Sequence, residues 1–142
     1  MDNLKEYIGK LRSSRLRPTK QRLMISQALF GRKETFHFTI EDLNKLIRKK
    51  FNSKISLATI YNTIHAFKKK GYLKEIALNG NKTFYDTNTD NHHHFYDKDT
   101  EKLTDIESSM IFVNNIPHVP SNKLVKNVEV MVTVANSNHN QK

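Results

Sequence analysis

Residues 55–67 read Ile55-Ser56-Leu57-Ala58-Thr59-Ile60-Tyr61-Asn62-Thr63-Ile64-His65-Ala66-Phe67. Ser56 is a residue type that caps helices. Leu57, Ile60, Ile64 and Phe67 follow it at spacings of three, four and three. That periodicity predicts an amphipathic helix to residue 70, with these four as its buried stripe and Gly71 as its stop. At about 100° per residue, Ala58, Thr59, Asn62, His65 and Ala66 face away from the stripe, and Tyr61 lies at its border. A merely solvated face usually carries long charged side chains. Here they arrive only at the end, as Lys68-Lys69-Lys70. Small residues permit close approach to base edges. Asn can bond adenine in the major groove, and the methyl of Ala or Thr can pack against that of thymine. The stretch reads as a nucleic-acid recognition helix.

Working towards the N-terminus, Thr39-Ile40-Glu41-Asp42 resembles a capping box with Asp in place of Glu. It opens a third helix, to about residue 50, with Ile40, Leu43 and Ile47 inward and His37 at its opening. Thr19 caps a second helix to Phe30, stopped by Gly31, after Pro18 has broken the chain. Leu4, Ile8 and Leu11 share one face of a first helix, 2–13, with Asp2 as its cap. Towards the C-terminus, 72–78 and 82–87 are strand-like, and Asn79-Gly80 between them is a strong hairpin signal. Helix, helix, turn, helix and hairpin is the order of a winged helix-turn-helix domain, expected over residues 1–87. Arg17, Lys20 and Arg22 then lie where a second helix would touch the phosphate backbone.

Charge separates the chain into two halves. Residues 1–85 carry 19 Lys and Arg against 6 Asp and Glu, a formal +13, whereas residues 86–142 carry 5 against 8, a formal −3. A uniform lysine excess would mean little, but a change of sign along the chain points to a polyanion at one end and a cation at the other. There is no cysteine, so disulfides, thiolate zinc sites, iron–sulfur clusters and a Cys nucleophile are excluded. No run approaches the roughly 18 apolar residues of a membrane span, and residues 1–12 lack the apolar core of a signal peptide. A cytoplasmic protein with no membrane partner is expected.

The second half is thinner in elements. Residues 101–106 suit a short strand, and Val128, Val130, Val132 and Val134 alternate as a strand does. Residues 136–142 read as a disordered tail. Elements this few could hardly hold a separate core, so 88–135 is expected to be a small α/β dimerisation and ligand-sensing domain, completed by an identical subunit. The fold class is therefore α+β. Within it stands His92-His93-His94. In an extended segment His92 and His94 point one way and His93 the other, and imidazole is a common ligand for iron and zinc. His65 and His118 stand alone, and His139 lies in the tail.

The stretch from Ile55 to Ile64 closely resembles the recognition-helix signature of the ferric uptake regulator superfamily. Arg17-Pro18-Thr19-Lys20-Gln21-Arg22 resembles its entry motif, and His37 followed by Thr39, Glu41, Asp42 and Leu43 also fits. The resemblance runs over about residues 10–134. Leu16-Arg17-Pro18-Thr19, Phe84-Tyr85-Asp86-Thr87-Asn88-Thr89 and His92-His93-His94-Phe95 are most similar to the iron response regulator (Irr) branch. The resemblance implies a bacterial transcription regulator, mainly a repressor, that controls iron and haem homeostasis. It would bind AT-rich palindromic operators in double-stranded DNA as a homodimer. DNA contact would fall to Arg17, Thr19, Lys20, Arg22, Ser56, Ala58, Thr59, Tyr61 and Asn62, with Tyr61 reaching thymine and Arg17 near the minor groove.

Two ligand readings follow from the same resemblance. In the Irr branch, the triplet His92, His93 and His94 binds haem, and haem relieves DNA binding. In relatives that sense divalent metal, the positions of His37, Asp86, His94 and Asp105 form the regulatory site, and Fe2+, Mn2+ or Zn2+ switches DNA binding on. Tyr96 stands where those relatives place another His, and the paired cysteines of their structural zinc site are missing from 97–103. An N-terminal Cys-Pro haem motif is missing too. Outside this class, a hydrolytic metalloenzyme would need an HExxH motif, a triad signature or a Gly-rich phosphate loop. None is present, so no enzyme and no catalytic residue is expected.

Overall fold

The structure, a computed structural model, describes residues 3–78 and 82–138. Asp2, the Asn79-Gly80 turn, His139 and the last residues of the expected tail lie outside the described residues. The chain divides into two compact units, Met1–Thr89 and Asp90–Lys142.

The first unit has four helices, α1 (Leu4–Ser13), α2 (Lys20–Phe30), α3 (Ile40–Phe51) and α4 (Leu57–Lys70), and three strands, β1 (His37–Phe38), β2 (Lys74–Ala77) and β3 (Thr83–Asp86). Local chemistry sets the helix starts. Thr19 accepts the Arg22 N–H, and Ser56 accepts the Thr59 N–H. At α3 the capping box is complete. Thr39 Oγ1 accepts from the Asp42 N–H, and Asp42 Oδ2 accepts from the Thr39 N–H. Gly71 ends α4 at φ 97°, a left-handed position that glycine takes without strain.

Leu11, Ile25, Leu29, Leu43, Ile47, Ile60, Ile64 and Phe67 pack into one core between the helices. Burying a side chain of this size stabilises by about 1.5–3 kcal/mol. Two expected stripes shift. Leu57 is 54% exposed and Thr63 is buried in its stead, because Leu57 sits at the first turn of α4, before the helix reaches the core. In α1 the buried pair is Tyr7 and Leu11, while Leu4 is exposed.

The hairpin strands pair antiparallel, and β1 adds to them, giving the order β1-β3-β2. No local signal marks β1. His37 therefore lies on a two-residue strand ahead of the Thr39 cap instead of opening the helix.

The second unit holds β4 (His93–Asp97), β5 (Lys102–Ile106) and β6 (Met131–Val134) in the order β5-β4-β6, with a 3-10 turn at Ser108–Met110 as its helical part among the described residues. β6 is shorter than the valine alternation implies and runs parallel to β4. Among the described residues, Ile106 is its sole buried apolar side chain, while Met110, Phe112 and Leu124 are exposed. No helix among the described residues is long and apolar enough to cross a membrane.

The capping box makes a direct test. Replacing Thr39 by Ala removes one of its two bonds and should destabilise the first unit by about 1 kcal/mol. The urea midpoint should fall while the slope of the transition stays unchanged.

Candidate metal centre and nucleic-acid interface

The residues expected to meet DNA gather at two helix starts in the first unit. At α2, Arg17, Thr19 and Lys20 are exposed. The Arg22 guanidinium donates to the Arg17 carbonyl at 3.0 Å, which ties the entry motif to the helix. At α4, Ser56, Ala58 and Asn62 are exposed, and Thr59 is half-buried. The Ser56 hydroxyl donates to Thr59 Oγ1 at 2.9 Å. Both hydroxyls are thus engaged in the cap, and Tyr61 and Asn62 are the longer exposed side chains of this face. Tyr61 is 52% exposed. Its ring stacks on His65, one turn later, at 5.8 Å and 9°. The isolated histidine of the sequence is therefore a neighbour of the reading face, as i, i+4 spacing on a helix allows.

Of the lysine triplet, Lys68 is occupied. Its ammonium donates to Glu75 Oε1 at 2.8 Å, and that hydrogen bond raises its pKa above the ordinary value.

The candidate metal ligands are paired by strand register. In the first unit, His37 lies opposite Asp86 across β1 and β3, so both side chains project from the same face of the sheet. His37 Nε2 is 3.2 Å from Asp86 Oδ2. Asp86 is fully buried, and its other oxygen accepts the Asn88 N–H at 2.9 Å. A buried carboxylate is costly unless a positive group accompanies it.

In the second unit, His94 lies opposite Asp105 across β4 and β5. His92, two residues earlier, shares that face. Both Nε2 atoms approach Asp105 Oδ1, at 3.0 Å from His92 and 3.3 Å from His94. The two rings are 4.4 Å apart, and each of the three residues offers a ligand atom within 4.8 Å of the others.

His92 carries the most information. Its Nδ1 is 2.6 Å from the Asp90 carbonyl oxygen. A carbonyl only accepts, so Nδ1 carries the proton and Nε2 presents a lone pair in the neutral ring. That lone pair faces a carboxylate oxygen. Two acceptors face one another unless a second proton or a metal ion lies between them. A ligating histidine that donates its other N–H to a backbone carbonyl is the usual arrangement at metal sites. The donor set fits a borderline divalent cation such as Fe2+, Mn2+ or Zn2+. His92 belongs to this set, although the metal reading of the sequence names only His37, Asp86, His94 and Asp105. The alternation of the triplet was the signal for it.

His93 is turned the other way. Its Nδ1 accepts the Val130 N–H at 2.8 Å, between β4 and the approach to β6. The three histidines are 6%, 5% and 3% exposed. Axial ligation of haem needs an imidazole nitrogen open to a broad flat macrocycle. His92, His93 and His94 therefore do not act as one set, and their surroundings do not fit haem. Asp97 is not a ligand of the cluster. It accepts the N–H groups of Asp99 and Thr100, which hold its carboxyl below the usual range and make it the anchor of the turn between β4 and β5.

Residues 13–134 match the model of the Ferric uptake regulator family, and the chain belongs to that family. The peroxide-responsive repressor PerR of Staphylococcus epidermidis is 34% identical over 102 residues, which are 72% of this chain and 66% of that protein. The ferric uptake regulator of Vibrio cholerae superposes with a TM-score of 0.69, covering 91% of this chain and 98% of that one at 19% identity. The ferric uptake regulator of Pseudomonas aeruginosa, solved with manganese, gives 0.67 over 93% and 98%, also at 19% identity. These likenesses establish a shared fold, with an N-terminal helical domain and a small C-terminal α/β domain.

The division of labour among the histidines can be measured by calorimetric titration of Mn2+. His92→Ala and Asp105→Ala should each weaken binding by at least about tenfold, the loss typical of a disturbed metal site. His93→Gln, which keeps an acceptor for Val130, should leave the affinity within about twofold.

Proposed function

We propose that this protein is a DNA-binding transcription repressor of the cytoplasm, not an enzyme, whose operator binding is switched on by a divalent metal ion. Residues 1–87 form the DNA-binding domain, and residues 88–135 form the dimerisation and sensing domain. The observation that carries this reading is the pair of imidazoles, His92 and His94, whose Nε2 atoms both lie against Asp105 Oδ1 while His92 Nδ1 is held by the Asp90 carbonyl. His94 and Asp105, joined by His92, hold the ion. The family resemblance also implies metal-ligand roles for His37 and Asp86, which pair with each other in the first unit.

Sequence reading falls to α4, with Ala58, Thr59, Tyr61 and Asn62 at the bases. Arg17, Thr19, Lys20, Arg22 and Ser56 meet the sugar-phosphate backbone. The symmetry of an AT-rich palindromic operator would mirror a homodimer. Support for the homodimer comes from the second unit itself. It has one buried apolar side chain among the described residues, and Phe112 is 91% exposed. A second copy of the same surface would give these groups the core they lack.

The test is DNA binding by the purified full chain at fixed salt, on a duplex that the protein itself selects from a random pool. Tight binding that appears only with Mn2+ or Fe2+ supports the metal-activated repressor. Tight binding without metal, abolished by haem, would replace it with the Irr-type reading. Because PerR relatives are peroxide-responsive repressors, hydrogen peroxide is a third addition worth making. Tyr61→Phe and Arg17→Ala should each weaken DNA binding by about 1–3 kcal/mol, roughly five- to 150-fold, while Mn2+ affinity stays unchanged. Full DNA affinity in both variants would show that the reading head is misassigned.

A further inference from the structure

The chain ends of α1 and α4 border a cleft that the DNA-reading residues do not use. It has a volume of about 400 Å³ and is lined by Ser13, Ser14, Arg15, Ala66, Lys69 and Lys70. Among the described residues, no acidic side chain lines it. Among the described residues, no ion pair engages Arg15, Lys69 or Lys70. Lys68, next in line, is held by Glu75 and lies outside the lining.

The backbone gives a second and independent observation. Both helices end in the same motif. In α4, the Tyr72 N–H donates to the Phe67 carbonyl and the Gly71 N–H to the Lys68 carbonyl. In α1, the Leu16 N–H donates to the Leu11 carbonyl at 2.8 Å and the Arg15 N–H to the Arg12 carbonyl at 2.9 Å. This is a Schellman motif, whose left-handed residue is usually glycine. In α4 that residue is Gly71, but in α1 it is Arg15, at φ 63°. A long β-carbon-bearing side chain stands where the backbone favours glycine, and it stands on the wall of the cleft. Backbone strain of this kind clusters at binding sites.

Helix C-termini repel anions, so the balance of charge has to be weighed. Each helix end is equivalent to about half a negative charge. Three full positive charges therefore leave a net of about +2 at the cleft. The serine hydroxyls are already engaged, since Ser13 and Ser14 both donate to the Lys10 carbonyl. Recognition falls to the guanidinium and the two ammonium groups. Among the described residues, no aromatic ring lines the cleft to stack a base. The chemistry therefore suits a phosphate group in particular, not a nucleoside.

We propose that this cleft binds phosphate, and that the phosphate is a backbone phosphodiester of duplex DNA outside the bases read by α4. The site itself rests on the cleft and its cations, whereas DNA as the source of the phosphate rests on the regulator reading above. Arg15 is the principal contact, and Lys69 and Lys70 close around it. Such a contact adds affinity on every DNA sequence and specifies none.

Two arms of one experiment separate the site from its source. The first titrates inorganic pyrophosphate into the full-length protein and follows the backbone amide resonances of Ser14, Arg15, Lys69 and Lys70. The second measures duplex DNA affinity against salt, on selected and on scrambled sequences. The variants are Arg15→Gly, which suits the left-handed backbone and so preserves the fold, and Lys69→Gln with Lys70→Gln, which keeps good helix formers in α4.

We expect pyrophosphate to shift the four amides in the wild type and not in Arg15→Gly. Each variant should flatten the slope of log K against log[salt] by roughly 0.9 per phosphate lost, equally on both duplexes. Pyrophosphate binding with unchanged salt slopes would overturn DNA as the source and leave a site for free phosphate. Pyrophosphate binding by a wild type that fails to bind any duplex would sink the regulator reading while the site stands. Unmoved amides would overturn the site itself.

Discussion

Antiparallel strand register is the constraint on which the candidate site depends. Residues directly opposite one another in such a pair project from the same face of the sheet. His37 meets Asp86 because two residues of chain, β1, lie against β3. His94 meets Asp105 because β4 and β5 fold back on each other. A slip of one residue in either pairing would send every side chain of that strand to the opposite face. The imidazole would then face away from its carboxylate. The register of short strands thus determines the ligand chemistry, and the helical core behind β1–β3 holds the first of these registers in place.

The two units are stabilised by different means. In the first, capped helices bury Leu11, Ile47, Ile60, Ile64 and Phe67 in a continuous apolar core. That core fixes α4 and leaves its other face for recognition. In the second, polar groups occupy the interior positions. His92, His93 and His94 are buried, while Phe112, Met110 and Leu124 are exposed. A histidine-rich interior gains little from the hydrophobic effect. It is stabilised when its ring nitrogens are satisfied by a cation or by hydrogen bonds, and a metal ion would therefore stabilise the unit that binds it. Loading of such a site would in this way tighten the second unit.

Legibility in the sequence tracks the range of the interaction. The caps of α2, α3 and α4, at Thr19, Thr39 and Ser56, are contacts between residues three apart, and the residue types alone announce them. The division of His92 and His94 from His93 follows from the twofold alternation of a strand, which is equally local. β1 is different. Two residues cannot show a period, and their partner β3 lies more than forty positions away. Leu57 misleads for a related reason: helical spacing gives its angle around the axis but not whether any neighbour covers that end of the helix.

Several features were thus determined by the sequence itself. They are the order of helices and hairpin, the basic first half, the small polar face of α4, the alternation of the histidine triplet and the family to which the chain belongs. All rest on composition or on contacts within one or two turns. The tertiary structure decided which histidine joins which carboxylate, that His92 belongs with His94 and Asp105, that His93 is taken up by Val130, and that Arg15 shares a cleft with Lys69 and Lys70. Each of these joins residues distant in sequence or depends on which nitrogen of a ring faces which oxygen. Such geometry exists only once strands have paired and helices have packed, because no local propensity specifies a partner fifty residues away.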